Sequence, residues 1–191
     1  NGADLIFGDL DDDRLYGGSG MDEIYGGFGD DHLRGGDDAD LLAGDEGDDR
    51  LYGGRGDDWL STGTGRDLLV GGNGADVFVG ATYFLDPGLE GQATALDFAR
   101  GKDKLLLDDF LLGDGPEQFA LLDSNGNGRL DRADAHVDLE AVTSGGITRA
   151  SLVLDLGTFA SAVDEADELR PGQYTLTLYG VGRIEEGDFF A

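Results

Sequence analysis

From Asn1 to Val79 a large apolar side chain returns at every ninth position: Ile6, Leu15, Ile24, Leu33, Leu42, Leu51, Leu60, Leu69 and Phe78. An aspartate stands two places before each of them, at Asp4, Asp13, Asp22, Asp31, Asp40, Asp49, Asp58, Asp67 and Asp76. The unit is G-G-x-G-x-D-x-U-x, with U apolar, and Gly53-Gly54-Arg55-Gly56-Asp57-Asp58-Trp59-Leu60-Ser61 is a clean instance. Glycine at positions 1, 2 and 4 admits backbone angles that a Cβ forbids, so G-G-x-G-x-D predicts a tight turn. The three residues after the aspartate are too few for a helix and suit a short strand. Strand alternation turns the eighth position inward and the seventh and ninth outward. Two units make one full coil. Stacked coils then give two parallel sheets back to back, with the eighth positions filling the slot between them. No unit buries its apolar face alone, so the array has to stack.

The outward positions differ between the two sheets. The odd-numbered units carry Leu5/Phe7, Glu23/Tyr25, Leu41/Ala43, Trp59/Ser61 and Val77/Val79, and the even-numbered units Arg14/Tyr16, His32/Arg34, Arg50/Tyr52 and Leu68/Val70. The odd face is the more apolar, and both faces become apolar near Gly80. The rest of the chain is therefore expected to pack there, mainly on the odd face, with Trp59 covered.

After Gly80 the nine-residue rhythm stops, which divides the chain into a repeat region, 1–80, and a capping region, 81–191. In the second, Ala95-Leu96-Asp97-Phe98, Asp103 to Leu107, Leu152 to Leu156 and Tyr174 to Leu178 are expected as strands, with a turn at Arg100-Gly101-Lys102. A cap is physically required, because an open roll end exposes unpaired strand edges and an apolar slot. The expected fold is all-β: a parallel β-roll with a mainly β cap.

Composition adds charge. The formal net charge is −28, a balance that repels nucleic acid phosphates and anionic membranes and attracts cations. There is no cysteine, hence no disulfide and no thiolate metal site. No apolar run is long enough to span a bilayer. The chain opens at Asn1, inside a repeat unit, and is expected to be a piece of a longer protein.

Spacing turns the acid content into chemistry. Same-side turns are two units apart in sequence and about 4.8 Å apart in space. Two opposed oxygens on one Ca²⁺, each at about 2.3–2.6 Å, span about 4.6–5.2 Å. A calcium ion therefore fits between stacked turns, held by an aspartate from each and by backbone carbonyls; Mg²⁺ wants shorter bonds and keeps its waters. The expected pairs are Asp4/Asp22, Asp22/Asp40, Asp40/Asp58 and Asp58/Asp76 on one edge, and Asp13/Asp31, Asp31/Asp49 and Asp49/Asp67 on the other, up to seven ions in all.

These nine units resemble the RTX family, the repeats-in-toxin or hemolysin-type calcium-binding proteins. The resemblance implies a right-handed parallel β-roll. It also implies that one turn offers the carbonyls of positions 2 and 4 and the next same-side turn those of positions 1 and 3. Beyond the aspartates, the implied metal-site residues are Gly17, Gly18, Ser19 and Gly20; Gly26, Gly27, Phe28 and Gly29; Gly35, Gly36, Asp37 and Asp38; Gly44, Asp45, Glu46 and Gly47; Gly53, Gly54, Arg55 and Gly56; Thr62 and Thr64; and Gly71 and Asn73. Some units depart from the pattern. Asp9 and Asp11 hold positions 2 and 4 of the second unit, Asp38 holds position 4 of the fifth, and Thr62 replaces the first glycine of the eighth.

A second motif is independent of the first. Asp123 to Asp134 matches the twelve-residue EF-hand loop, with Gly128 at position 6 and an apolar Leu130 at position 8. The ligands would be the side chains of Asp123, Asn125, Asn127 and Asp134, the carbonyl of Arg129, and Asp131 through water, for one further Ca²⁺. Aspartate at position 12 is one methylene shorter than the usual glutamate, and dockerin-type loops share it. Flanking helices are expected over 116–122 and 132–142. At the end, Gly187-Asp188-Phe189-Phe190-Ala191 resembles the C-terminal signal read by type I exporters of RTX proteins.

No catalytic constellation stands out. His32 and His136 lie apart, and neither H-E-x-x-H nor G-x-S-x-G occurs. The expectation is a non-catalytic, monomeric, calcium-binding module of a secreted or cell-surface bacterial protein, folded by calcium after passage through a type I secretion exporter. Two rivals stay open: a module for an extracellular polysaccharide or for adhesion, using the aromatic outer face, and the C-terminal part of a secreted protease or lipase.

Overall fold

The computed structural model describes residues 1–80, 91–107, 129–130, 137–144, 146–155, 174–185 and 188. The repeats form β1 (Leu5–Leu10), β2 (Arg14–Ser19), β3 (Glu23–Phe28), β4 (His32–Asp37), β5 (Leu41–Glu46), β6 (Arg50–Arg55), β7 (Trp59–Ser61), β8 (Gly65–Asn73) and β9 (Val77–Gly80). Odd strands pair only with odd strands and even with even, always parallel and always offset by two repeat units: Ile6 opposes Ile24, which opposes Leu42, and Leu15 opposes Leu33, which opposes Leu51. This is a parallel β-roll. Its slot is filled by the eighth positions, with Ile24, Leu33, Leu42, Leu51, Leu60, Leu69 and Phe78 all fully buried. Ile6 and Leu15, in the first coil, are only partly buried against this core.

Most strands are longer than the three residues expected. The ladder runs on through the first two glycines of the next unit, so that Gly18 opposes Gly36 and Gly36 opposes Gly54. The turn proper is therefore only positions 4 to 6. Glycine at position 2 still has a backbone reason: Gly36 has φ +131° and Gly54 +120°, which an L side chain rarely adopts. Where aspartate substitutes, the backbone relaxes to left-handed helical values instead, with φ of 68° at Asp9, 73° at Asp11, 80° at Asp38 and 69° at Asp45. β7 ends at Ser61, just before Thr62, which stands where most other units have their first glycine.

The second half extends both sheets. β11 (Lys104–Leu107) adds to β9, and β10 (Gly91–Ala95) adds to β8, both parallel. β15 (Tyr174–Leu178) follows β10 in parallel, then β14 (Ile147–Asp155) and β13 (Val137–Ser144) continue antiparallel to the edge. A separate two-residue ladder joins β12 (Arg129–Leu130) to β16 (Ile184–Glu185). The apolar slot continues into this region through Ala93, Ala95, Leu105, Leu152, Leu154, Leu176 and Leu178.

Three expectations change here. The strand expected over 95–98 lies at 91–95, and Leu96 to Phe98 turn away from it, because the Asp97 side chain is used to cap N–H groups of β8. The helix expected over 132–142 is replaced, at 137–142, by β13: Val137-Asp138-Leu139-Glu140-Ala141 alternates with period two, and the strand pairs with β14. The described part of the cap continues the roll end to end instead of lying over the odd face, and Trp59 remains 37% exposed. The first expected helix, 116–122, falls outside the described residues.

Burial ranks the core positions. Leu51→Ala is expected to cost about 2–5 kcal/mol, the range for a fully buried leucine, and Leu15→Ala clearly less. Urea unfolding at fixed calcium measures both, and equal losses would contradict this packing.

Candidate metal centre

The sixth-position aspartates enter each strand from its turn, and the structure joins them edge by edge. Each backbone N–H donates to Oδ1 of the corresponding aspartate two units on: Asp4 to Asp22 at 2.8 Å, Asp22 to Asp40 at 2.9 Å, Asp40 to Asp58 at 2.9 Å and Asp58 to Asp76 at 3.1 Å. On the other edge Asp13 reaches Asp31 at 2.7 Å, Asp31 reaches Asp49 at 2.9 Å and Asp49 reaches Asp67 at 3.2 Å. All seven aspartate pairs picked out by spacing are thus direct neighbours.

Oδ1 is occupied by that bond, and Oδ2 is not. In Asp22, Asp31, Asp40, Asp49, Asp58 and Asp76 it is buried with no hydrogen-bond partner. An unpaired buried polar atom costs on the order of 1–3 kcal/mol, more when charged. Six of them along the two edges are a signature of a missing positive partner. Each Oδ2 lies against the first-position glycine of its own unit: a Cβ on Gly17, Gly26, Gly35, Gly44, Gly53 or Gly71 would collide with it.

The carbonyls face the same gaps between turns. A Cβ on Gly36 would strike the Gly18 carbonyl, one on Gly54 the Gly36 carbonyl, and one on Gly20 or Gly56 the carbonyl of Gly2 or Asp38. Positions 2 and 4 therefore look toward the following same-side turn. In the reverse direction the Gly44 carbonyl faces Gly26 and the Gly71 carbonyl faces Gly53. The third-position carbonyls of Asp37 and Asn73 also face back, accepting the N–H of Gly20 at 3.2 Å and of Gly56 at 2.8 Å. Each keeps a second lone pair. Among the described residues no three His, Cys, Asp or Glu side chains converge as a metal cluster. A cation here would thus be held by carbonyls from both turns with one free oxygen per carboxylate, an all-oxygen set suited to Ca²⁺.

Electrostatics agree. Burial, then the charges of neighbouring aspartates, push the carboxyls up against the opposing help of backbone N–H groups: Asp49 to about 8, Asp58 and Asp67 to about 7. Asp76 rises to about 6, and Asp31 and Asp40 are raised as well, again chiefly by burial.

The eighth unit stands apart. There Oδ2 of Asp67 accepts from Gly63 N–H at 3.3 Å, so it is not orphaned. This is the unit in which Thr62 replaces the first glycine.

Several further carboxylates take part that were not among the expected metal-site residues. Asp103 continues the odd-edge series, accepting from Asp76 N–H at 3.3 Å, but its Oδ2 takes Ala99 N–H at 2.7 Å, and it closes the ladder without a free oxygen. Its signal was present: Asp103-Lys104-Leu105 repeats the D-x-U phase, and Leu105 is fully buried. Asp97 caps Gly71 and Gly72 N–H at 2.9 and 2.8 Å. Fifth-position aspartates form a second, exposed ladder, in which Asp30 N–H donates to Asp12 and Asp48 N–H to Asp30, both at 2.9 Å. Of the EF-hand-like loop only Arg129 and Leu130 are described; Asp123, Asn125, Asn127, Asp131 and Asp134 lie outside the described residues, as do residues 187 and 189–191 and His136.

Stacked two-unit coils, bound edge to edge by buried aspartates with facing carbonyls, define a calcium-binding parallel β-roll. Residues 1–82 are RTX calcium-binding nonapeptide repeats: that family model matches four times, over 1–24, 16–51, 25–60 and 52–82. A solved structure similar to this chain is the solution structure of the AlgE6R3 subunit from the Azotobacter vinelandii mannuronan C5-epimerase, 26% identical over 90% of this chain and 72% of that one, with a TM-score of 0.45. No curated protein matches the chain.

Two outcomes follow from this geometry. Gly53→Ala puts a methyl on Asp58 Oδ2 and should cost about 1–3 kcal/mol and lower the calcium count, whereas Gly182→Ala enters open space and should stay within about 0.5 kcal/mol. Calorimetric titration with calcium compares them. The second concerns pH. Carboxyls raised in the fold above their unfolded value of about 3.9 favour the protonated folded state. With a chelator present, that contribution is complete below about pH 4 and is lost as pH rises toward 8. Circular dichroism in chelator should therefore show more β-structure at pH 5 than at pH 8, and a flat or opposite profile would contradict the buried carboxyls.

Proposed function

We propose that the chain is a calcium-driven folding module of a secreted bacterial protein. In the low calcium of the cytosol its charge of −28 and its glycines hold it unfolded, a state suited to passage through a type I secretion exporter. Outside, calcium fills the gaps between stacked turns at the seven aspartate pairs, and binding supplies folding free energy because the sites do not exist in the unfolded chain. The observation that carries this reading is the series of buried Oδ2 atoms without a partner. The Asp49/Asp67 pair is the weakest of the seven, since Asp67 Oδ2 is already engaged.

In the same reading residues 123–134 hold one further ion, and the short β12–β16 ladder at loop positions 7 and 8 supports a loop anchored there. The end of the chain serves the exporter, and the parent protein's own activity lies in other parts of it. An extracellular polysaccharide is a second candidate partner, supported by aromatic side chains on the outer faces: Phe7 stacks on Tyr25 with ring centroids 5.2 Å apart, and Trp59 is partly exposed.

A calcium titration followed by circular dichroism at pH 7.5 tests the main reading. The expected result is a chain without β-structure in chelator that folds steeply and cooperatively with calcium. A chain already β-rich in chelator at that pH would sink it. Equilibrium dialysis on the same protein counts the ions, and Asp123→Ala should lower the count by one.

A further inference from the structure

The basic residues of the repeat region are all arginines: Arg14, Arg34, Arg50, Arg55 and Arg66. Every one of them lies on the even sheet, on β2, β4, β6 and β8. Arg14, Arg34 and Arg50 face outward on β2, β4 and β6, the three strands at the β2 edge of that sheet. Register places Arg14, His32 and Arg50 in one column and Tyr16, Arg34 and Tyr52 in the next, so that Arg34 is flanked by a tyrosine on each neighbouring strand. Tyr16 is 62% and Tyr52 37% exposed. Arg55 is paired with Asp37 at 3.2 Å, and Arg50 lies against His32 Nε2 at 2.9 Å. Among the described residues no carboxylate lies within ion-pair distance of Arg14, Arg34 or Arg50. In a chain of net charge −28, arginines without a carboxylate, gathered on one face, leave a local positive strip open to an anionic partner.

We infer that this face binds a linear acidic polysaccharide, its carboxylates or sulfates on Arg14, Arg34 and Arg50 and its sugar rings on Tyr16 and Tyr52. Guanidinium forks match such anions, and tyrosine offers an apolar face beside a polar tip. The stripe is narrow, with acidic turns on both edges. A slender chain lying along it stays within about 8 Å of the arginines, the screening length at physiological salt. A membrane plane would overhang the aspartate ladders and be repelled. The inference rests on the calcium-folded roll, but on the face opposite the Phe7–Tyr25 stack.

The test uses the whole chain in calcium, with circular dichroism confirming that each variant is folded, so a failure to fold is separated from a failure to bind. Hyaluronan and dextran sulfate distinguish carboxylate from sulfate, and uncharged dextran is the control. Binding to either anionic polymer should weaken with salt. It should fall about two- to fivefold for each of Arg14→Ala, Arg34→Ala and Arg50→Ala, the range for an exposed charge pair, and stay unchanged in Arg55→Ala and Trp59→Ala. The inference is overturned if the folded protein binds neither polymer, binds dextran equally well, or loses binding with Trp59→Ala alone. Tighter binding of anionic vesicles or single-stranded DNA through the same arginines would assign the face to another partner. Self-association abolished by the three substitutions would assign it to a second copy of the chain.

Discussion

Carboxylates stacked one strand apart are the constraint on which everything else in this protein depends. At about 4.8 Å separation and an effective dielectric near 20, two neighbouring charges repel by about 3 kcal/mol. Asp22, Asp40, Asp58 and Asp76 follow one another in this way on one edge, buried. A few such pairs rival the roughly 5–15 kcal/mol that holds an ordinary domain together. Hydrogen bonds from the backbone N–H groups use only Oδ1 and leave Oδ2 unmatched. Protons or cations must therefore complete the fold, and the upward displacement of the carboxyls is the proton side of the same balance.

The glycines serve that constraint more than they serve flexibility. Position 1 is glycine because the carboxylate's second oxygen sits where its Cβ would be. Position 2 is glycine because φ runs past +100°, and because the preceding same-side carbonyl looks into the same space. Aspartate can replace glycine at positions 2 and 4 because a φ near +70° keeps the turn. In the unit where Thr62 stands in place of the first glycine, β7 ends at Ser61 and Gly63 N–H donates to Asp67 Oδ2.

The repeats were legible because nine copies average away the accidents of any one of them. Register, core and paired aspartates all emerge from a period of nine, and the shared strand through the glycine pair did not, since periodicity says nothing about where hydrogen bonding stops. The cap offers one copy of each feature. Asp97 and Asp103 act by capping particular N–H groups, and Asp188 ties down the 100–101 turn by accepting from Gly101 N–H at 2.7 Å and Arg100 at 3.3 Å. Asp103 shares the D-x-U phase of the repeats, but nothing in local composition separates Asp97 or Asp188 from the many exposed aspartates. The second expected helix failed for a related reason: Val137 to Ala141 alternates, and the antiparallel partner that decides it, β14, lies beyond the next turn of the chain.

Independent weak sites would not suffice to fold such a chain. A site half-filled at the prevailing calcium concentration contributes about 0.4 kcal/mol, so seven of them together give only about 3 kcal/mol. That is the repulsion of a single neighbouring pair. The sites have to be coupled, and the geometry supplies the coupling. Asp22 faces Asp4 on one side and Asp40 on the other, and the carbonyls of Gly18 and Gly36 point in the same direction along the stack. A cation held in one gap neutralises a carboxylate that borders the next and fixes a turn that the next ion also needs. The favourable step is then the filling of a row, and the steepness of folding with calcium grows with the number of coils stacked.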